Sequence, residues 1–151
     1  MGKRADMAYD NFKSGYNCAQ AVFMAFCDKY SIDEETAAKL ASSFGGGMGR
    51  MREVCGAFSG MLLVNSMETG TADASDRETK AKNYESVQKL AKRFKEENGS
   101  LICRELLGLT EKQEKSETSV PEKRTETYYK KRPCAEIVKS AAEILEETFG
   151  E

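Results

Sequence analysis

The sequence predicts an all-α, single-domain bundle, and three observations carry that reading. Only two prolines, Pro121 and Pro133, interrupt the 151 residues. No stretch alternates apolar and polar residues in the manner of a strand. Apolar positions recur instead three and four apart, as on a helix with one buried face. About five to seven helices are expected, with a Gly-rich loop and one long polar loop between them. The length suits one domain with a substantial core. Hydrophobic residues at 40% and charged residues at 32% are ordinary for a folded, well-solvated chain.

The elements follow in order. A first helix covers Lys3 to Lys13 and stops near Gly15. A second runs from about Tyr16 to Tyr30. Cys18, Ala21, Val22 and Ala25 share one of its faces, and Phe23, Phe26, Cys27 and Tyr30 share another. A helix apolar on two faces belongs at the centre of its bundle. Asp33 caps the next helix, which reaches about Phe44. Gly45-Gly46-Gly47-Met48-Gly49 then breaks the pattern. An apolar helix, about Arg52 to Met67, carries Gly56 and Gly60 one turn apart, so a neighbouring backbone can come close there. Gly70 ends it.

A long polar-faced helix spans about Ser75 to Glu97, with Tyr84, Val87, Leu90, Ala91 and Phe94 as its buried stripe. Asn98-Gly99 stops it. Ser100 caps a short helix through Leu107. Thr110 to Thr127 is nearly all charged or hydroxylated and reads as an exposed surface excursion. Pro133 suits the first position of a last helix. On that helix Cys134, Ile137, Val138, Ala141 and Leu145 form one apolar stripe.

Charge and composition exclude several functions. The net charge is -2, with acidic and basic residues interleaved, so no nucleic-acid footprint is present. No apolar run approaches the roughly 18 residues of a membrane span. The charged start, Met1 to Asp6, has no apolar stretch behind it and does not read as a secretory signal. A reducing cytoplasm is the expected setting. The chain has no histidine, which excludes Ser-His-Asp and Cys-His nucleophile systems and mixed cysteine-histidine metal sites. Special chemistry is left to thiols, carboxylates, Lys, Arg, Tyr and the backbone.

There are five cysteines. In a reducing compartment they point to metal binding or catalysis rather than structural disulfides, although a free cysteine is also a common core residue. At about 100° per residue, Cys18 and Cys27 face opposite sides of one helix and cannot both enter one compact site. Cys27, beside Phe23, Phe26 and Tyr30, reads as core. Cys18, Cys55, Cys103 and Cys134 remain, widely spaced and with no CxxC pair. Cys55, Cys103 and Cys134 fall at or near the first turns of expected helices. There the unpaired N–H groups favour a thiolate.

These residues resemble a family of small proteins. The likeness begins at Gly15-Tyr16-Asn17-Cys18-Ala19-Gln20-Ala21-Val22 and continues through Phe44-Gly45-Gly46-Gly47-Met48-Gly49. It takes in Cys55-Gly56-Ala57-Phe58-Ser59-Gly60, Gly99-Ser100 and Cys103-Arg104-Glu105-Leu106-Leu107-Gly108, and ends at Cys134. In this pattern the chain resembles the C-GCAxxG-C-C family. The resemblance assigns the four signature cysteines to Cys18, Cys55, Cys103 and Cys134 and leaves Cys27 as an extra. It implies redox chemistry and names no substrate. A related module joined to haem-binding segments in some cytochromes points toward electron transfer. Arg52 departs from the pattern, which has a small residue or glycine before the Cys-Gly-Ala motif.

Two mechanisms fit four thiols. In the favoured one they hold a metal centre, an iron-sulfur cluster, with zinc as the redox-silent variant. Gly45, Gly46, Gly47 and Gly56 would then bring backbone close to the site. In the other, pairs of thiols cycle between dithiol and disulfide without a cofactor, Cys55 being the better attacking thiolate. A redox partner protein is expected, and a homodimer through the glycine-faced helix. A structural metal-binding or helical interaction module is the alternative. The glycine loop lacks the Gly-Lys-Ser/Thr ending of a phosphate loop and follows no strand, so it reads as a tight connection. Met48, Met51, Met61 and Met67 read as packing. Arg104 and Glu105 read as an ion pair, and Lys130-Lys131-Arg132 as a source of thiolate character at Cys134.

Overall fold

The computed structural model describes residues 2–151. Among them stand nine α-helices and no strand. The helices are α1 (Lys3–Lys13), α2 (Cys18–Met24), α3 (Glu34–Ala41), α4 (Gly56–Thr69), α5 (Arg77–Asn98), α6 (Cys103–Leu106), α7 (Glu111–Lys115), α8 (Glu126–Lys131) and α9 (Cys134–Phe149). The count exceeds expectation through short helices in the polar stretch. Each has its own cap: Thr110 accepts from Gln113 N–H and Thr125 from Tyr128 N–H.

The expected second helix is broken. After Met24 the chain tightens into a 3₁₀ turn at Cys27–Tyr30. Cys27 is buried in the core, and the break rather than a half-turn offset separates it from Cys18. The third helix likewise ends early, at Ala41, before a 3₁₀ turn at Ser42–Phe44. Helix α2 starts at Cys18 because Asn17 and Gln20 make a reciprocal capping box. Tyr84, expected in the α5 stripe, is exposed, whereas Leu90 and Phe94 are buried. α5 packs only at this later part of its apolar face.

Helix α2 lies at the centre, against α1, α3, α4 and α9. Two glycines on α4 set the approach. A Cβ on Gly60 would lie 2.9 Å from both the Ala19 carbonyl and the Val22 Cβ. One on Gly56 would lie 2.9 Å from the Phe44 carbonyl and 3.2 Å from the Cys18 Cβ. The two helices therefore touch backbone to backbone, with Cys18 directly over the start of α4. Helix α9 packs on α1, α2, α4 and α5, and its buried Glu146 accepts from the Arg4 and Ala5 N–H groups at the start of α1. No described helix is long and apolar enough to cross a membrane.

The close approach makes a prediction. Gly60→Val should lower stability by about 1–3 kcal/mol through overpacking, read as a lower urea midpoint. Valine is the informative choice, because alanine's better helix propensity would offset part of the clash. An unchanged midpoint would mean that the helices stand further apart.

Candidate functional site

All four of Cys18, Cys55, Cys103 and Cys134 line one cavity of about 270 Å³, together with Gly45, Gly46, Gly47 and Gly56. Each cysteine stands at a helix start. Cys18, Cys103 and Cys134 are the first residues of α2, α6 and α9, and Cys55 is the residue that precedes α4. Cys27 lies apart, its thiol against the Met24 carbonyl at 3.3 Å.

Local structure explains the convergence. Residues 53–55 and 101–103 pair as a single antiparallel bridge centred on Val54 and Ile102. Cys55 N–H donates to the Leu101 carbonyl at 2.7 Å and Cys103 N–H to the Glu53 carbonyl at 2.6 Å. Two cysteines distant in sequence thus become neighbours. The glycine loop folds back beneath them. Arg50, Arg52 and Glu53 N–H groups donate to the carbonyls of Gly45, Gly46 and Gly47. Gly47 has φ 70°, and a Cβ there would stand 2.6 Å from the Cys103 Cβ. Only glycine fits both the dihedral and the space.

Arg52 is a site residue. It is buried, adopts φ 59°, and its Nη1 lies 3.6 Å from the Cys103 sulfur. The left-handed conformation is the one that favours glycine, one of the small residues expected at this position. The arginine is held there by Glu117, whose carboxylate accepts from Arg52 Nε at 2.9 Å and from Arg50 Nη2 at 2.8 Å. Arg104 pairs with Glu53 and Glu114, and Glu105 accepts from Ser100, so the expected Arg104–Glu105 ion pair is not formed.

The four thiols differ in environment. Cys18 and Cys134 are partly exposed, whereas Cys55 and Cys103 are buried. Cys18 and Cys134 interact, and the interaction moves their acidities in opposite directions. Cys134 is held below the ordinary thiol value by the Cys18 thiol, with Arg132, Arg52 and Arg124 adding to the effect against burial. Cys18 is pushed well above it by the same interaction, by burial and by the nearby sulfurs. Burial pushes Cys55 up to about 12, although the Ala57 and Phe58 N–H groups favour its anion. Burial also raises Cys103, against the pull of Arg52. Of the four thiols only Cys134 is shifted toward its anion, whereas burial shifts Cys55, the expected attacking thiol, away from it. The start of α4 does favour a thiolate, but desolvation there is the larger effect.

The polar segment contributes more than its composition suggests. It is exposed for most of its length. Yet Glu117 ties Arg50 and Arg52, Glu122 pairs with Arg132, and Arg124 lies in the cavity wall. Arg124 donates to the Phe12 carbonyl at 2.9 Å and to the Tyr16 carbonyl at 3.0 Å. Tyr128 is raised to about 12, chiefly by burial and then by the Cys134 charge. Of these residues, the sequence alone had singled out only Arg52 and Arg132.

Among the described residues, no group of three or more Cys, Asp or Glu side chains is placed to hold a metal ion.

The fold and cavity define an all-α protein built around clustered thiols. A family model described as "Putative redox-active protein (C_GCAxxG_C_C)" matches residues 16–148. The chain belongs to this family. No curated protein and no solved structure matches it.

Two measurements check the thiol environments. At about pH 7, iodoacetamide should modify Cys134 before the other four cysteines, as peptide mass spectrometry would show; equal labelling of Cys55 would contradict the site electrostatics. Stability should also fall in alkali. A thiol raised on folding supports the native state below its ordinary value, and that support is lost as pH rises through the raised one. Cys55, raised from 9.0 to about 12, sets the window. Cys134 acts in the opposite sense, losing its contribution as pH falls through its lowered value. The urea midpoint should drop between about pH 9 and 12, and Cys55→Ser should flatten the drop. A flat wild-type profile would contradict the burial of these thiols.

Proposed function

We propose that the protein is a dithiol–disulfide redox protein whose exchanging pair is Cys18 and Cys134. What supports the reading is that these two cysteines line the same cavity, are less buried than Cys55 and Cys103, and act on each other, the interaction lowering Cys134 and raising Cys18. The reaction partner is a disulfide. The Cys134 thiolate attacks one of its sulfurs, a mixed disulfide forms, and a thiolate leaves. Cys134 then no longer carries charge. The neighbouring charge that held the Cys18 proton is removed, so Cys18 becomes more acidic at the moment it is needed. Its proton passes to the departed thiolate. The Cys18 sulfur attacks Cys134, closing the internal disulfide and releasing a second thiolate. Two electrons pass from the protein dithiol to the substrate disulfide. Reduction by an electron-donating partner in the cytoplasm returns the dithiol.

Cys55 and Cys103 remain protonated in this scheme. Buried and neutral, they add no charge of their own beside Cys134. Arg52 stands between the two sets, against Cys103 and acting on Cys134.

Equilibration in graded thiol–disulfide buffers, followed by peptide mapping, tests the assignment. A Cys18–Cys134 disulfide should form alone, Cys18→Ser should trap the mixed disulfide on Cys134, and Cys134→Ser should form neither. A disulfide joining Cys55 to Cys103, with Cys18 and Cys134 left reduced, would overturn it.

A further inference from the structure

The charge of the cavity wall selects among disulfides. Arg50, Arg52, Arg124 and Arg132 all line the cavity. Arg50 and Arg52 share one carboxylate, Glu117, and Arg132 has Glu122. Four guanidinium groups thus meet two carboxylates. Part of the remaining positive charge supports the Cys134 thiolate. Arg124 is the distinctive member. Among the described residues it has no carboxylate partner. It is anchored by the Phe12 and Tyr16 carbonyls and stacked on the Phe12 ring at 4.3 Å and the Tyr128 ring at 5.1 Å. A firmly held guanidinium with no carboxylate partner, in a wall with more arginines than carboxylates, is suited to a carboxylate.

We infer that the cavity binds a small disulfide bearing carboxylates, with Arg124 taking one carboxylate while the disulfide sulfur meets Cys134. The inference rests on the dithiol reading above. A volume of about 270 Å³ lies at the lower edge of ligand pockets, typically ~300–1,000 Å³, and suits a small molecule rather than a folded partner's loop. The chemistry is the exchange already balanced: the bound disulfide becomes two carboxylate-bearing thiols, and Cys18 and Cys134 become a disulfide.

The test uses the reduced full chain and three disulfides of similar size. These are dithiodiglycolate, an anion; bis(2-hydroxyethyl) disulfide, which is neutral; and cystamine, a cation. The rate of Cys18–Cys134 disulfide formation with each is divided by the rate of the same reagent with free 1-thioglycerol, a neutral thiol that differs from all three products, which removes intrinsic reactivity. The anion should exceed the neutral reagent about tenfold at low salt, with the cation slowest, and the ratio should shrink as salt rises. Arg124→Gln should bring the anion-to-neutral ratio toward one, and Arg124→Lys should restore part of it. Equal normalised rates in the wild-type protein, or a ratio that Arg124→Gln does not move, would overturn the inference. Failure of the Cys18–Cys134 disulfide to form with any of the three would instead overturn the dithiol reading.

Discussion

The backbones of α2 and α4 meet at Gly56 and Gly60 with no room for a side chain between them, and the thiol cavity is built outward from that contact. It sets Cys18 over the start of α4, beside Cys55. The Val54–Ile102 bridge then adds Cys103, and the packing of α9 on α2 adds Cys134. Four helix starts converge because separate local devices anchor them: a capping box places Cys18, the bridge and the glycine loop place Cys55 and Cys103, and the packed last helix places Cys134. Widening the glycine contact would displace Cys18 first.

At the sulfurs, two effects of opposite sign compete. Burial favours the neutral thiol and wins at Cys55 and Cys103. The neighbouring Cys18 thiol and the surrounding arginines favour the thiolate and win at Cys134. The interaction that lowers Cys134 raises Cys18, which is the asymmetry the proposed attacking and resolving roles draw on. The arginines serve twice, by stabilising this charge and by leaving a positive wall around it.

Much of this was legible in the sequence. The absence of strand patterning gave the all-α class, and Gly56 and Gly60 announced the close helix contact. The cysteine contexts pointed to four residues that line one cavity. What escaped was tertiary. Cys55 sits where a helix start favours a thiolate, yet burial reverses its acidity, and burial depends on neighbours distant in the chain. Asn17 caps α2 through a box with Gln20, which moves the helix start to Cys18. Thr110 to Thr127 has the composition of a solvated loop and is mostly exposed. Glu117 and Arg124 matter because of the partners that folding brings to them, and no local periodicity marks those partners. Arg52 stood out only as an oddity in its motif, and its positive φ explains why glycine suits that position.

The most direct measurement is an ultraviolet titration of thiolate absorbance on the reduced protein, wild type beside Cys134→Ser and Cys55→Ser. One thiolate per chain should appear below the ordinary thiol value of 9.0, vanish in Cys134→Ser and persist in Cys55→Ser. A wild-type protein with no thiolate below that value, or one whose early thiolate survives Cys134→Ser, would contradict the assignment of charge within the cavity.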